Sequence, residues 1–156
     1  MSVNQHVPWG LIPNIPVEIQ LDEGVKLPEY KHDGDSGFDL AANEDIDIPA
    51  KGVALVPTGI RLGIPKGYEI QVRSRSGLAA KNGVFVLNSP GTVDSTFSGQ
   101  IQVILANFGH NSVHFQKGDR IAQAVLCPVE KADFTVVEKL SDKTTRGEGG
   151  FGSTGV

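Results

Sequence analysis

Tyr68-Glu-Ile-Gln-Val-Arg73, Ser76-Gly-Leu-Ala-Ala-Lys-Asn82 and Val84-Phe-Val-Leu87 follow one another almost without a gap, and their order decides the fold. In the first, apolar residues take every second position, the period of a half-buried strand. The second has helical propensity for about two turns and no more. The third returns to a short apolar run with β-branched residues. Working outward, the strand signature recurs at Val17-Glu-Ile-Gln-Leu21, Gly52-Val-Ala-Leu-Val56 and Gln100-Ile-Gln-Val-Ile-Leu105. It appears again at Val113-His-Phe115, Ile121-Ala-Gln-Ala-Val-Leu126 and Phe134-Thr-Val-Val-Glu138. The 19 glycines and 9 prolines punctuate the chain too often for long helices. Many short strands bounded by turn residues, with one short helix, predict an all-β fold, a β-barrel or jelly-roll-like sandwich.

A length of 156 residues suits one domain with a sizeable core. The expected organisation is an extended arm over residues 1–16, a β-domain over 17–140 and a flexible glycine-rich tail over 141–156. A net charge of −4 argues against binding nucleic-acid backbones, so any basic groups that meet phosphate must be few and placed. The single Cys127 excludes an intrachain disulfide framework and a cysteine zinc cluster, and fits a reducing compartment. Neither a signal region nor a membrane-length apolar stretch is visible, so a soluble, cytoplasmic protein is expected. Cys127 itself reads as a small core residue. His110 and His114 are separated by a turn and a strand start, which breaks the helical spacing of a metal pair.

Five stretches carry candidate chemistry. In Asp35-Ser-Gly-Phe-Asp-Leu-Ala-Ala42, alternation sets Phe38 and Leu40 on one face and holds the Asp39 carboxylate on the other; a turn with a surface acid is the plainer reading. In Val72-Arg-Ser-Arg-Ser-Gly-Leu78, Arg75 and Ser76 can meet an anion at the helix N-terminus, where Gly77 allows close approach. Ser76 acting simply as a helix cap is the alternative. Leu87-Asn-Ser-Pro-Gly-Thr-Val-Asp-Ser-Thr-Phe-Ser-Gly99 is too long for a plain hairpin. There Asn88 and a tight bend can read a base edge, Asp94 is a candidate general base, and the Phe97 ring could lie against a sugar. Gly118-Asp-Arg-Ile-Ala-Gln-Ala124 starts a strand and exposes Gln123. In Arg146-Gly-Glu-Gly-Gly-Phe-Gly-Ser-Thr-Gly155, an arginine, a ring and two hydroxyls among glycines suit a nucleotide, although a solubilising terminus has the same composition.

Together these segments resemble the trimeric dUTP nucleotidohydrolases, the dUTPases. Five motifs of that family occur in order across residues 35–155, with Arg75-Ser-Gly-Leu-Ala79, Gly91-Thr-Val-Asp94, Gly118-Asp-Arg-Ile-Ala-Gln123 and Gly149-Gly-Phe-Gly-Ser-Thr-Gly155 nearly verbatim. The resemblance implies a jelly-roll-like barrel of the dUTPase type, a homotrimer with sites between subunits, and Mg²⁺-assisted hydrolysis of dUTP to dUMP and pyrophosphate. That activity lowers dUTP, prevents uracil incorporation into DNA and supplies dUMP for dTMP synthesis. Direct nucleic-acid or membrane binding is not implied. By the same resemblance, Asp94 would activate the attacking water, and Arg75, Ser76, Gly77 and Gln123 would hold the phosphates. Asn88 with Gly91, Thr92, Val93 and Asp94 would recognise uracil, and Phe97 would pack on the deoxyribose. Asp39 would engage Mg²⁺ through water, the ion being held mainly by the triphosphate. Phe151 would stack on uracil, while Arg146, Gly152, Ser153 and Thr154 close on the outer phosphates.

Three positions depart from the common pattern. Ser74 replaces a proline and is expected to loosen the strand before Arg75. Phe97 replaces a tyrosine, which keeps the ring face and loses the hydroxyl. Ser98 replaces a frequent arginine and its inter-subunit contacts. Two rival readings are a dCTP deaminase of the same fold and a non-catalytic nucleotide-binding regulator. The deaminase glutamate would fall at Ile104, which cannot shuttle protons, and that family lacks the glycine-rich tail. Retention of Asp94, Arg75, Ser76, Gln123 and the tail argues against a protein that only binds.

The tail is expected to act as a lid that contributes little to the core. Deleting residues 146–156 should leave a folded oligomer by sedimentation, with turnover of dUTP severely reduced. Full activity of the truncated protein would remove the tail from the reaction.

Overall fold

The computed structural model describes residues 14–141. The expected arm before Asn14 and the tail after Ser141 lie outside that range, and with them Arg146, Phe151, Gly152, Ser153 and Thr154. The described residues form eleven strands and one helix. In chain order the first six strands are β1 Glu18–Leu21, β2 Phe38–Ala41, β3 Ile46–Ile48, β4 Val53–Pro57, β5 Ile60–Gly63 and β6 Tyr68–Arg73. Helix α1, Ser76–Asn82, follows, and then β7 Val84–Val86, β8 Gly91–Asp94, β9 Gln102–Asn107, β10 Val113–Phe115 and β11 Arg120–Pro128. They pair into small sheets of order β2-β11-β6-β8, β4-β9-β7, β1-β5 and β3-β10. All pairings are antiparallel. The sheets wrap one core as a jelly-roll-like sandwich, the all-β architecture that the strand spacing predicts.

Alternation explains which residues fill that core. On β6, Ile70 and Val72 are buried while Glu69, Gln71 and Arg73 stay partly exposed. Leu40, Ile48, Val56, Val84 and Leu105 are fully enclosed, and Ile70, Val103 and Ile121 are 1% exposed. Burying such side chains contributes roughly 1.5–3 kcal/mol each, the main favourable term in the fold. Helix α1 occupies the span read from its composition and ends at Gly83, whose backbone N–H donates to the Ala79 and Leu78 carbonyls.

One local expectation fails. The apolar run at residues 134–138 is not a strand, and its side chains point outward, with Phe134 89% and Val136 97% exposed. A β pattern becomes a strand only when a ladder partner exists, and the described residues provide none there. Within the stretch from Leu87 to Gly99, Gly91–Asp94 forms β8 against β6.

A buried amide closes one end of the sandwich. Asn107 is 1% exposed, and its Nδ2 donates to the carbonyls of Ile48 at 3.0 Å and Asn111 at 2.8 Å. Its Oδ1 accepts the Gly109 N–H at 2.9 Å, so the side chain ties β9 to β3 and to the loop before β10. Asn107→Ala should destabilise the protein by about 2–4 kcal/mol, because buried backbone groups lose their partners. Denaturant unfolding at fixed protein concentration checks this.

Candidate active site

The polar centre is built across β2, β11 and β6. Strand β11 hydrogen-bonds on both edges, so Gln123 stands opposite Asp39 on one side and Arg73 on the other. An irregularity between Arg120 and Ala122 sets this phase. It lets Ile121 and Ala122 both face the core and turns Gln123 outward beside Asp39.

Two residues past β6, Arg75 folds back over that row. Its Nε donates to Asp39 Oδ1 at 3.0 Å, and its Nη1 donates to the Arg120 carbonyl at 2.9 Å. Arg120 Nη1 donates to Asp39 Oδ2 at 3.0 Å, so one carboxylate holds two guanidiniums. Gln123 Nε2 donates to the Ser74 carbonyl at 3.0 Å. Side-chain exposures of 23% for Asp39, 26% for Arg75 and 54% for Arg120 mean that solvent screens these pairs. Their main effect is therefore orientation rather than stability. A guanidinium carries five N–H groups, so Arg75 keeps donors to spare for an anion.

Ser74 corrects one expectation. Its Oγ accepts the Val86 N–H at 2.9 Å, so the residue in the proline's place tethers the end of β6 to β7 instead of loosening it. Arg75 is also the cap position of α1, with extended backbone and no side-chain cap bond. Ser76 is thus the first helical residue and not its cap, and Ser76 and Gly77 sit exposed at the positive end of the helix.

Asp94 lies at the other end of the sheet. Strand β8 runs back along β6, with Gly91 opposite Val72 and Asp94 opposite Glu69. Glu69 is four residues before Arg73, a separation of about 13 Å along a strand. Within one chain, then, Asp39, Arg75 and Gln123 come together and Asp94 does not join them. Asp94 is fully exposed, and its Oδ1 accepts both the N–H of Thr96 at 2.9 Å and the hydroxyl of Thr96 at 2.5 Å. The Thr96 hydroxyl, then its amide, holds the carboxyl below the usual range, so Asp94 is ionised at neutral pH.

The segment from Asn88 to Gly99 is shaped by close approaches. A side chain on Gly91 would bring a Cβ to 3.2 Å from Asn88 Nδ2, so the Asn88 amide lies directly over the start of β8. Likewise a Cβ at Gly99 would lie 2.7 Å from Cζ of Phe97, whose ring is 46% exposed and rests on that glycine. Asn88, Thr92 and Asp94 are exposed and Val93 half-buried.

Among the described residues, no group of three His, Cys, Asp or Glu side chains forms a metal cage. The site does suit an ion held through water. Each oxygen of Asp39 keeps a second acceptor position beyond its guanidinium, and a cavity of about 220 Å³ beside it is lined by Gln123, Glu29, Lys31 and Asp35. His114 pairs with Asp47 at 2.9 Å. Cys127 is half-buried rather than core, its Sγ 3.8 Å from Arg73 Nη2. Arg120 and Thr96 are the site residues that sequence reasoning missed. Arg120 lay inside a quoted motif, but nothing local showed that its side chain turns toward Asp39.

In this all-β sandwich, Arg75 and Arg120 gather at Asp39 beside the start of α1 and offer spare N–H donors to an anion. The dUTPase family model matches residues 23–155, and the chain belongs to that family. It is 55% identical over 130 residues to a deoxyuridine 5'-triphosphate nucleotidohydrolase of Helicobacter pylori, covering 83% of this chain and 89% of that one. The corresponding protein of Wolinella succinogenes is 51% identical over 137 residues, covering 88% and 91%. A Staphylococcus bacteriophage 80alpha dUTPase solved with dUpNHpp aligns with a TM-score of 0.84 at 26% identity, covering 92% of this chain and all of the other. A phage phi11 dUTPase, described as coordinating a structural Mg(II) ion, shares the fold with a TM-score of 0.74 at 21% identity, covering 80% and 98%.

Removing the carboxylate that joins the two guanidiniums tests the cluster. Asp39→Ala should leave the far-ultraviolet spectrum unchanged and weaken binding of a non-hydrolysable dUTP analogue by roughly tenfold, since Arg75 loses one of its two anchors. Calorimetry checks the affinity.

Proposed function

We propose that this chain hydrolyses dUTP to dUMP and pyrophosphate, with Asp94 as the base. The observation that carries this reading is the state of Asp94: an exposed, ionised carboxylate with one oxygen occupied by Thr96 and the other left to take a proton from water. In-line attack on the α-phosphorus needs a base on one side and charge neutralisation along the phosphates. Arg75 supplies the second through its spare N–H groups, aided by the amides of Ser76 and Gly77 at the start of α1. Gln123 has one N–H beyond the one it gives to Ser74.

Asn88 and the backbone of Gly91 to Asp94 would read the uracil edges, in a hairpin too tight for a 5-methyl group. The Phe97 ring would fill the space of a 2′-hydroxyl and so exclude UTP, which steric blocking does better than an unsatisfied pocket. Mg²⁺, carried mainly by the triphosphate, would neutralise phosphate charge, with Asp39 accepting from its bound water. Arg146, Phe151, Gly152, Ser153 and Thr154 would complete the enclosure from the tail.

The working form would be a homotrimer with sites between subunits. The separation of about 13 Å along β6 between the row at Arg73 and the position of Asp94 supports this, since one chain does not bring base and phosphate donors together. So does the apolar surface left uncovered, with Val53 and Leu55 each 56%, Phe134 89% and Leu140 80% exposed. No helix among the described residues is long and apolar enough to cross a membrane.

Pyrophosphate release tests the reading. Turnover should be Mg²⁺-dependent with dUTP and slight with dTTP, dCTP or UTP. Asp94→Asn should lower kcat by roughly 10²–10⁴-fold while substrate binding survives, because the variant keeps size and hydrogen bonding but not basicity. Near-normal turnover in that variant would move the base elsewhere, and an active monomer in sedimentation would remove the trimer.

A further inference from the structure

We infer that Thr96 is a positioning residue for Asp94: its hydroxyl and its amide both donate to Oδ1, which turns Oδ2 toward the water. The inference rests on the reading of Asp94 as the base. Residues 94–97 form a tight turn, closed by the Phe97 N–H donating to the Asp94 carbonyl at 3.2 Å. The amide of Thr96 reaches Oδ1 at 2.9 Å as part of that turn, which any residue at this position could supply. The hydroxyl at 2.5 Å is different, because it depends on the threonine side chain. Two donors on one oxygen restrict rotation of the carboxylate about its last bond. The same turn presents Phe97, so the base and the ring proposed to touch the sugar are fixed by one short segment.

Other charges face Asp94 as well. Glu69 lies opposite it on β6, and the Glu69 carboxylate accepts from Gln71 Nε2 at 2.8 Å. Lys131, in the segment after β11, acts on Asp94 through space and favours its charged form. Neither supplies the directional contact that Thr96 makes.

Donation to a carboxylate lowers its basicity, so the hydroxyl has two opposed effects. At neutral pH the carboxylate is ionised with or without it. Geometry therefore decides the rate, because a misdirected base loses the in-line water.

The test uses the full-length protein, with Thr96→Val to remove the hydroxyl at equal size and Thr96→Ser to restore it. The position is exposed, so folding should be unaffected, and Thr96→Ala gives a second removal. Thr96→Val should lower kcat roughly tenfold, the scale of one hydrogen bond to a charged group, with KM for dUTP little changed. Its Asp94 carboxyl, followed by ¹³C NMR in the free protein, should titrate at higher pH than in the parent, since a donor to the charged form is gone. Thr96→Ser should recover both values. Unchanged kcat in Thr96→Val and Thr96→Ala, or a loss that serine does not repair, would overturn the inference. Asp94→Asn run alongside separates the two claims: if it stays active, the assignment of the base fails, whereas an inactive Asp94→Asn beside a normal Thr96→Val rejects the role of Thr96 alone.

Discussion

Strand β11 is hydrogen-bonded along both edges, and the polar centre depends on that double pairing. Through β2 and β6 it brings Asp39, Gln123 and Arg73 into one row, although they lie far apart in the chain. The irregularity after Arg120 sets which side chains face out. Side chains alternate with a period of two, so a slip of one residue would bury Gln123 and expose Ala122 or Ala124. Burial of Ala122 and Ala124 opposes such a slip, because their apolar surface would be returned to water.

On this row the electrostatics are local. The whole chain carries a net charge of −4, yet two arginines meet at one carboxylate. Asp39 offsets part of their mutual repulsion and limits their rotamers before any ligand arrives, which lowers the entropy lost on binding. The Arg120 backbone carbonyl adds a second anchor for Arg75. Asp94, at the far end of β6, is governed by a different neighbour, the hydroxyl of Thr96. The proposed chemistry thus divides between a phosphate-binding row and a separate base, each preorganised by its own short-range contacts. Uncovered Val53, Leu55, Phe134 and Leu140 provide surface on which copies of the chain could meet.

Legibility in the sequence followed the range of the forces involved. Tyr68–Arg73 and Ser76–Asn82 were read with the right type and bounds, because alternation and helix propensity act within a few residues. Strands β3, β5 and β8 fall outside the runs read from alternation and take their form from their ladders with β10, β1 and β6. The run at residues 134–138 shows the converse, since a strong β pattern without a partner among the described residues stays irregular. Ser74 was read as a weak point because proline is usual there. Its hydroxyl turned out to accept a hydrogen bond from β7, a neighbour that no local pattern names.

By itself the sequence determined the inventory of reactive groups, the all-β class and the family, since these rest on residue type, spacing and order. Asp94, Arg75, Gln123 and Asn88 could be singled out from their motifs alone. Only the tertiary structure decided that Asp39 joins Arg75 to Arg120, that Thr96 holds Asp94, and that Asp94 and the arginines stand apart in one chain. Hydrogen bonds select partners by distance and angle over roughly 3 Å, and that geometry exists only once the ladders have set the register.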